Sequence, residues 1–128
     1  MKTKDLMIGD YVQVSPSMMP IKIAATHQGS VAYYGSNILN WVREALLEPI
    51  ELTPEILEKN LESESNIFGL QTYRLNENFN LENRGDRFCL VRKCNDYNSS
   101  TFWICDLVYL HQLQHALRFC EIEKEIDL

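Results

Sequence analysis

Two histidines stand one helical turn apart in the run Tyr109-Leu110-His111-Gln112-Leu113-Gln114-His115-Ala116-Leu117-Arg118. At this spacing the helix of a zinc protease presents two metal ligands, with a glutamate between them as general base. Here Gln112 takes the place of that glutamate, and an amide cannot accept a proton from a zinc-bound water. The extended form of the motif also needs a glycine at position 118 and a ligand at position 121. The chain has Arg118 and Glu121 there, so a ligand-type residue is present while the turn-making glycine is absent. Arg118 would also place positive charge beside the cation. The near-match therefore assigns no reaction: no catalytic residue, metal ligand or cofactor is expected.

Written on a helix, His111, Gln114, His115 and Arg118 form one stripe at i, i+3, i+4 and i+7. Tyr109, Leu110, Leu113, Ala116, Leu117 and Cys120 form the other side, which is expected to face the core. The plain reading of the stripe is a solvated helix face. The functional reading is a surface that touches a protein partner, and these four residues are the expected partner-binding site.

Arg84, Arg87, Arg92 and Lys93, interleaved with Phe88 and close to Tyr97, make a second candidate. Basic and aromatic side chains in alternation can hold single-stranded nucleic acid by stacking and phosphate contacts. The solvent face of an antiparallel sheet gives the same pattern with no such role. The net charge of −6, with Glu121, Glu123, Glu125 and Asp127 near the C-terminus, disfavours nucleic acid and anionic membranes alike. Cys89 and Cys94 lie five apart on one expected strand and point to opposite faces, so they cannot chelate together. Cys120 lies on the core side of its helix, away from His111 and His115. No glycine-rich phosphate loop, nucleophile elbow or paired-carboxylate site is present.

A chain of 128 residues suits one compact domain or two small ones, and buries roughly 65–70 % of its unfolded surface on folding. Hydrophobic content of 45 % is that of a globular protein. Four cysteines without paired short spacing read as reduced thiols buried as small hydrophobes, which fits a cytoplasmic protein. Met1-Lys2-Thr3-Lys4 is basic, but Gly9-Asp10 and Gln13 interrupt the chain before a signal core can form. No run reaches the roughly 20 apolar residues that span a bilayer.

The positioning elements follow from turn residues and periodicity. Residues 11–14 alternate as a strand, and residues 21–26, 30–34 and 38–42 read as further short strands, separated by Ser15-Pro16, His27-Gln28-Gly29 and Gly35-Ser36-Asn37. A helical turn at 43–47 precedes an extended Glu48-Pro49-Ile50. Short strands with a helical turn before the last are the order of an SH3-like barrel, and Leu6, Gly9, Asp10 and Val12 resemble the opening strand of such barrels. Thr53 caps a helix with Pro54 first and Glu55 at its positive end; Asn60 is expected to end it in the left-handed conformation. Ile56, Leu57 and Leu61 form its apolar face. Strands at 67–75, 79–82, 87–93 and 101–105 follow, with residues 61–66 as a polar joint and a turn at 95–99. Phe102-Trp103-Ile104-Cys105 is apolar throughout and reads as sheet interior. Asp106 is the expected N-cap of a final helix over 107–119.

Three segments, Leu6-Met7-Ile8-Gly9-Asp10-Tyr11-Val12, Glu48-Pro49-Ile50-Glu51-Leu52-Thr53-Pro54-Glu55-Ile56-Leu57-Glu58-Lys59-Asn60 and the two-histidine run, resemble a family of short, uncharacterised proteins from gut anaerobic bacteria and their phages and mobile elements. Relatives often carry Gly-Phe where this chain has Leu61-Glu62, and glutamate where it has Gln112. The resemblance implies a shared fold and a mobile-element setting, and brings no catalytic residues.

The expectation is an α+β protein. An SH3-like β-barrel subdomain over 1–51 is followed by an α-β4-α subdomain over 52–128, packed against it, with two helices on one face of a four-stranded antiparallel sheet. The expected function is a non-enzymatic binding or accessory module acting through a protein partner. The alternatives are a nucleic-acid-associated accessory protein of a mobile element and a degenerate metal-binding or hydrolase-like protein using the His111/His115 helix. The last alternative requires stoichiometric zinc in purified, untagged protein. Elemental analysis is expected to find far less than one zinc per chain, and a full equivalent would reinstate it.

Overall fold

The computed structural model describes residues 1–66, 68–93 and 101–128. Ile67, Cys94, Tyr97 and the turn expected at 95–99 lie outside the described residues. The chain is mixed α+β and falls into two compact units. One is Met1–Glu51 with Tyr109–His111, the other Leu52–Val108 with Gln112–Leu128.

The first unit carries β1 (Tyr11–Val14), β2 (Met19–Lys22), β3 (Ala25–His27), β4 (Ser30–Gly35), β5 (Ile38–Arg43) and, after a 3₁₀ turn at Glu44–Leu46, β6 (Leu47–Pro49). These strands make two three-stranded antiparallel sheets, ordered β2-β1-β6 and β3-β4-β5. The closed barrel expected here is therefore corrected to two open sheets. The reason lies at Ile23-Ala24, in the middle of what reads as one strand over 21–26. Ile23 N–H still donates to Asp10 O in the first sheet (2.9 Å), whereas Ala24 N–H donates to Ala32 O in the second (2.8 Å). One residue step moves the chain from one sheet to the other. Both sheets contribute to a single core of Leu6, Val12, Ile21, Ile23, Val31 and Leu47, with Val14, Tyr33 and Val42 packed on it. The β4–β5 turn places Ser36 and Asn37 at φ 53° and 63°, the two left-handed positions a tight hairpin of this twist requires.

In the second unit, α1 (Pro54–Asn60) starts as the sequence indicates, with Thr53 Oγ1 accepting from Ile56 N–H at 3.3 Å. Its end differs. Asn60 is helical, and its side chain works as a clamp: Nδ2 donates to Ile56 O and to Asp127 O, both at 2.8 Å, while Oδ1 accepts from Asp127 N–H at 2.7 Å. The C-terminal tail is thereby tied to α1 by a residue that reads in sequence as a helix stop.

The sheet of this unit has five strands, not four. β7 (Ser63–Ser65), β8 (Gln71–Arg74), β9 (Phe79–Asn83), β10 (Phe88–Lys93) and β11 (Thr101–Leu107) pair as an antiparallel meander in chain order. β7 falls in the stretch expected to be a polar joint. As a short edge strand with all three residues exposed, it has no apolar alternation for sequence to show. Asn66 and Gly69 (φ 78°) turn the chain into β8, with Asn66 Oδ1 accepting from the N–H groups of Phe68 and Leu70.

Two further expectations are corrected. β11 is an edge strand, and Phe102 and Trp103 are 65 % and 64 % exposed, so an apolar run here does not mean sheet interior. Asp106 belongs to β11 and is no helix cap. α2 runs Leu110–Phe119, and Gln112 Oε1 accepts from Val108 N–H (2.9 Å) just ahead of it. α2 closes with Ile122 N–H on Leu117 O (2.8 Å) around Glu121 at φ 57°, a site that glycine fills at least cost.

Glu121→Gly is expected to raise stability by up to about 1 kcal/mol by relieving the left-handed strain. Asn60→Ala is expected to lower it by about 1–2 kcal/mol, because several hydrogen bonds go at once. Urea denaturation of both variants checks the signs. Fast amide exchange at Asp127 in Asn60→Ala alone identifies the clamp.

Candidate functional site

A groove of about 490 Å³ opens in the first unit. Its floor is β2 and the corner after it, where Ile21 and Ile23 are buried. One wall is the turn at residues 7–10. There Gly9 adopts φ 94°, and the buried Asp10 carboxylate accepts from Met7 N–H at 2.8 Å. Gly9 N–H donates to Ile23 O at 2.7 Å, which pins the wall to the floor. The other wall is the end of β4, Tyr33 to Gly35. The groove exists because β2 and β4 belong to different sheets and diverge beyond the Ile23-Ala24 corner.

The lining is apolar apart from Lys22. Ile8, Met19 and Tyr34 present large apolar surfaces to solvent along its rim. Lys22 Nζ sits 5.7 Å from the centre of the Tyr11 ring, close enough for a cation–π attraction. Exposed apolar surface continues past the rim. Tyr34 lies opposite Leu39 in the β4–β5 ladder, and Trp41, two residues further along β5, shares their face. All three are exposed. The sequence reading missed this surface, although its signal was present: Lys22 interrupts an otherwise apolar strand, and adjacent tyrosines must point to opposite faces of β4.

The stripe on α2 is less open than its sequence suggests. His111 and Gln114 are each only 9 % exposed, and His115 is half-buried. Arg118 alone is fully on the surface, bordering a shallow depression with Glu121, Glu123 and Glu125. The His111 ring stacks on Tyr109, with centroids 6.0 Å apart and planes at 12°. The reading of this side as a solvated face is thus corrected for His111 and Gln114. Leu110, Leu113 and Leu117 are buried as expected.

The four basic residues of the sheet do not come together. Arg84 and Arg87 stand at the β9–β10 turn, while Arg92 and Lys93 occupy the far end of β10. Arg92 is five residue steps along the strand from Arg87, roughly 17 Å at the usual rise. Arg84 Nη2 is 2.7 Å from Glu82 Oε2, and Arg87 pairs with Asp86 at 3.2 Å and Asp106 at 3.3 Å. Two of the four charges are therefore already met by carboxylates.

Asp106 is the centre of a polar cluster that the sequence did not reveal. A bulge opposite Leu90/Val91 pairs Leu90 with Cys105 but Val91 with Trp103, leaving Ile104 as the extra residue. The bulge turns Trp103 onto the face of Asp106. The Asp106 carboxylate then accepts from Trp103 Nε1 (2.9 Å) and the Cys89 thiol (3.2 Å), beside Arg87 Nε. The Trp103 and Cys89 hydrogen bonds hold its carboxyl below the usual carboxylate range. Burial, and then the Asp106 bond, push the Cys89 thiol up. Burial likewise raises Cys105 and Cys120. A raised thiol is mostly protonated near neutral pH and is a poor nucleophile or metal ligand. Among the described residues, no three His, Cys, Asp or Glu side chains converge as a metal site, and no helix is long and apolar enough to cross a membrane.

No family model, curated protein or solved structure matches the chain.

Because folding raises all three thiols, the stability linked to their protonation is complete below the ordinary thiol value of 9.0. It is lost as pH rises through the raised values. In a Cys94→Ser background at pH 8, Cys89, Cys105 and Cys120 are expected to react with a disulfide reagent at least tenfold more slowly folded than in urea. One fast thiol in the folded protein would contradict the burial assigned to it.

Proposed function

We propose that the protein is a non-enzymatic binding module that acts through a protein partner, and that the groove of the first unit is its docking surface. The observation that carries this reading is the groove itself: a concave, mostly apolar surface with one charge, rimmed by exposed Ile8, Met19 and Tyr34. Concave, exposed apolar patches of this kind mark interaction sites. The Asp106 carboxylate accepts from Trp103 Nε1 and the Cys89 thiol, and burial raises that thiol.

The strand order supports an SH3-like reading of the first unit. What supports it is a first strand paired with both the second and the last, a separate three-stranded hairpin sheet and a 3₁₀ turn before the last strand. Peptide- and protein-binding modules commonly use such small β folds, an analogy of fold only. Within the α2 stripe, Arg118 and His115 are the members exposed enough to contact a partner. Action on nucleic acid is the weaker reading, given the ion pairs at Arg84 and Arg87 and the net charge of −6. A cytoplasmic, mobile-element setting is consistent with this role.

The test is capture from lysate of the native host by full-length protein, followed by rebinding of the captured protein in purified form. Tyr34→Ala/Met19→Ala is compared with His115→Ala/Arg118→Ala. The expected result is at least tenfold weaker rebinding by the groove variant and retention by the α2 variant. Loss only in the α2 variant would move the site to that helix. Capture abolished by nuclease would instead favour the nucleic-acid reading.

A further inference from the structure

From the charge and shape of the groove we infer that its occupant is an extended peptide segment in which a carboxylate side chain lies within a residue or two of an aromatic or long aliphatic one. This rests on the groove being the docking surface. Three features of the lining select that chemistry.

The first is charge. Lys22 is the only charged residue lining the groove, and among the described residues it makes no ion pair with a carboxylate. It lies over the Tyr11 ring, a contact that leaves the ammonium able to take an anion. The chain as a whole carries −6, and an acidic segment lying in the groove meets its one cationic side chain at Lys22. Local complementarity of this kind fixes register more than it adds affinity.

The second is the apolar rim. Met19 and Ile8 are partly exposed aliphatic side chains, and Tyr34 is a large, mostly exposed ring. Methionine adapts its shape to aromatic and aliphatic guests alike. Beyond Tyr34 the surface continues over Leu39 and Trp41, so a segment several residues long has apolar contact along its length. A single small molecule would leave that extension uncovered.

The third is the edge. β2 is the outer strand of its sheet, but Pro20 sits in its middle and has no N–H to donate. Addition of a further strand by a continuous backbone ladder is therefore interrupted at its centre. Recognition falls to side chains, and with them to sequence.

The experiment pans a displayed library of random twelve-residue peptides on full-length wild type and on Lys22→Glu, with resynthesised peptides measured by titration. The expected result is enrichment of Asp or Glu next to Leu, Phe, Tyr or Trp on wild type. On Lys22→Glu the preference should move to Lys or Arg, with binding of the acidic peptide about tenfold weaker, as reversal of a partly exposed charge pair implies. Tyr34→Ala, a surface change, should weaken the same peptide while leaving the urea midpoint within error. Enriched peptides without an acidic preference, or with one unaltered by Lys22→Glu, would overturn the inference and leave the binding-module reading intact. Absence of enrichment on both proteins would also overturn it, and the lysate experiment then judges the module alone. Sedimentation showing a dimer that Tyr34→Ala dissolves would assign the surface to a second copy of the chain and refute peptide binding.

Discussion

The hydrogen bonds that fasten the turn at residues 7–10 to Ile23 are the constraint on which the first unit depends. A buried carboxylate is costly unless donors meet it, and Met7 N–H meets Asp10. That bond closes a turn that Gly9 can enter because it tolerates φ 94°. The turn then exchanges bonds with Ile23, and the next residue, Ala24, is already bonded to the other sheet. A chain that must change sheets within one residue cannot keep both sheets in register across the corner. The groove is the space left by that change. Its walls are set by backbone hydrogen bonds and its floor by core side chains. Docking onto such a surface loses little ordering entropy, which is the advantage of a preformed site.

The second unit shows how a local backbone irregularity sets electrostatics. Without the extra residue at Ile104, Trp103 would fall on the face of Cys105 and could not reach Asp106. With it, indole, thiol and guanidinium meet one carboxylate. The same bulge bends an exposed apolar edge, and bulges and charges on edges discourage sheet-to-sheet aggregation.

Elements whose signal is local were legible from sequence. The Thr53-Pro54 helix start, the Gly35-Ser36-Asn37 turn, the alternation of β1 and the turn-bounded runs of β4, β5, β9 and β10 need only neighbours in the chain. Features set by distant partners were not. Asn60 reads as a helix stop because its partner, Asp127, is 67 positions away. β7 carries no apolar pattern because it is an exposed edge, and Phe102-Trp103 reads as interior because apolar character does not record which strand is last. Burial of His111 and Gln114 could not be read from helical periodicity, which ranks faces by polarity and not by what covers them. The groove escaped because it is made by a corner, and a corner within residues 21–26 looks in sequence like an uninterrupted strand.

The most direct measurement is a two-dimensional amide NMR titration of the full-length protein with an acidic peptide selected on it. The expected shifts gather at residues 8–9, 19–24 and 33–35, with Lys22 and Tyr34 among the largest, and are small elsewhere. Shifts centred on 111–118 or on 84–93, with the groove silent, would contradict the assignment of the docking surface.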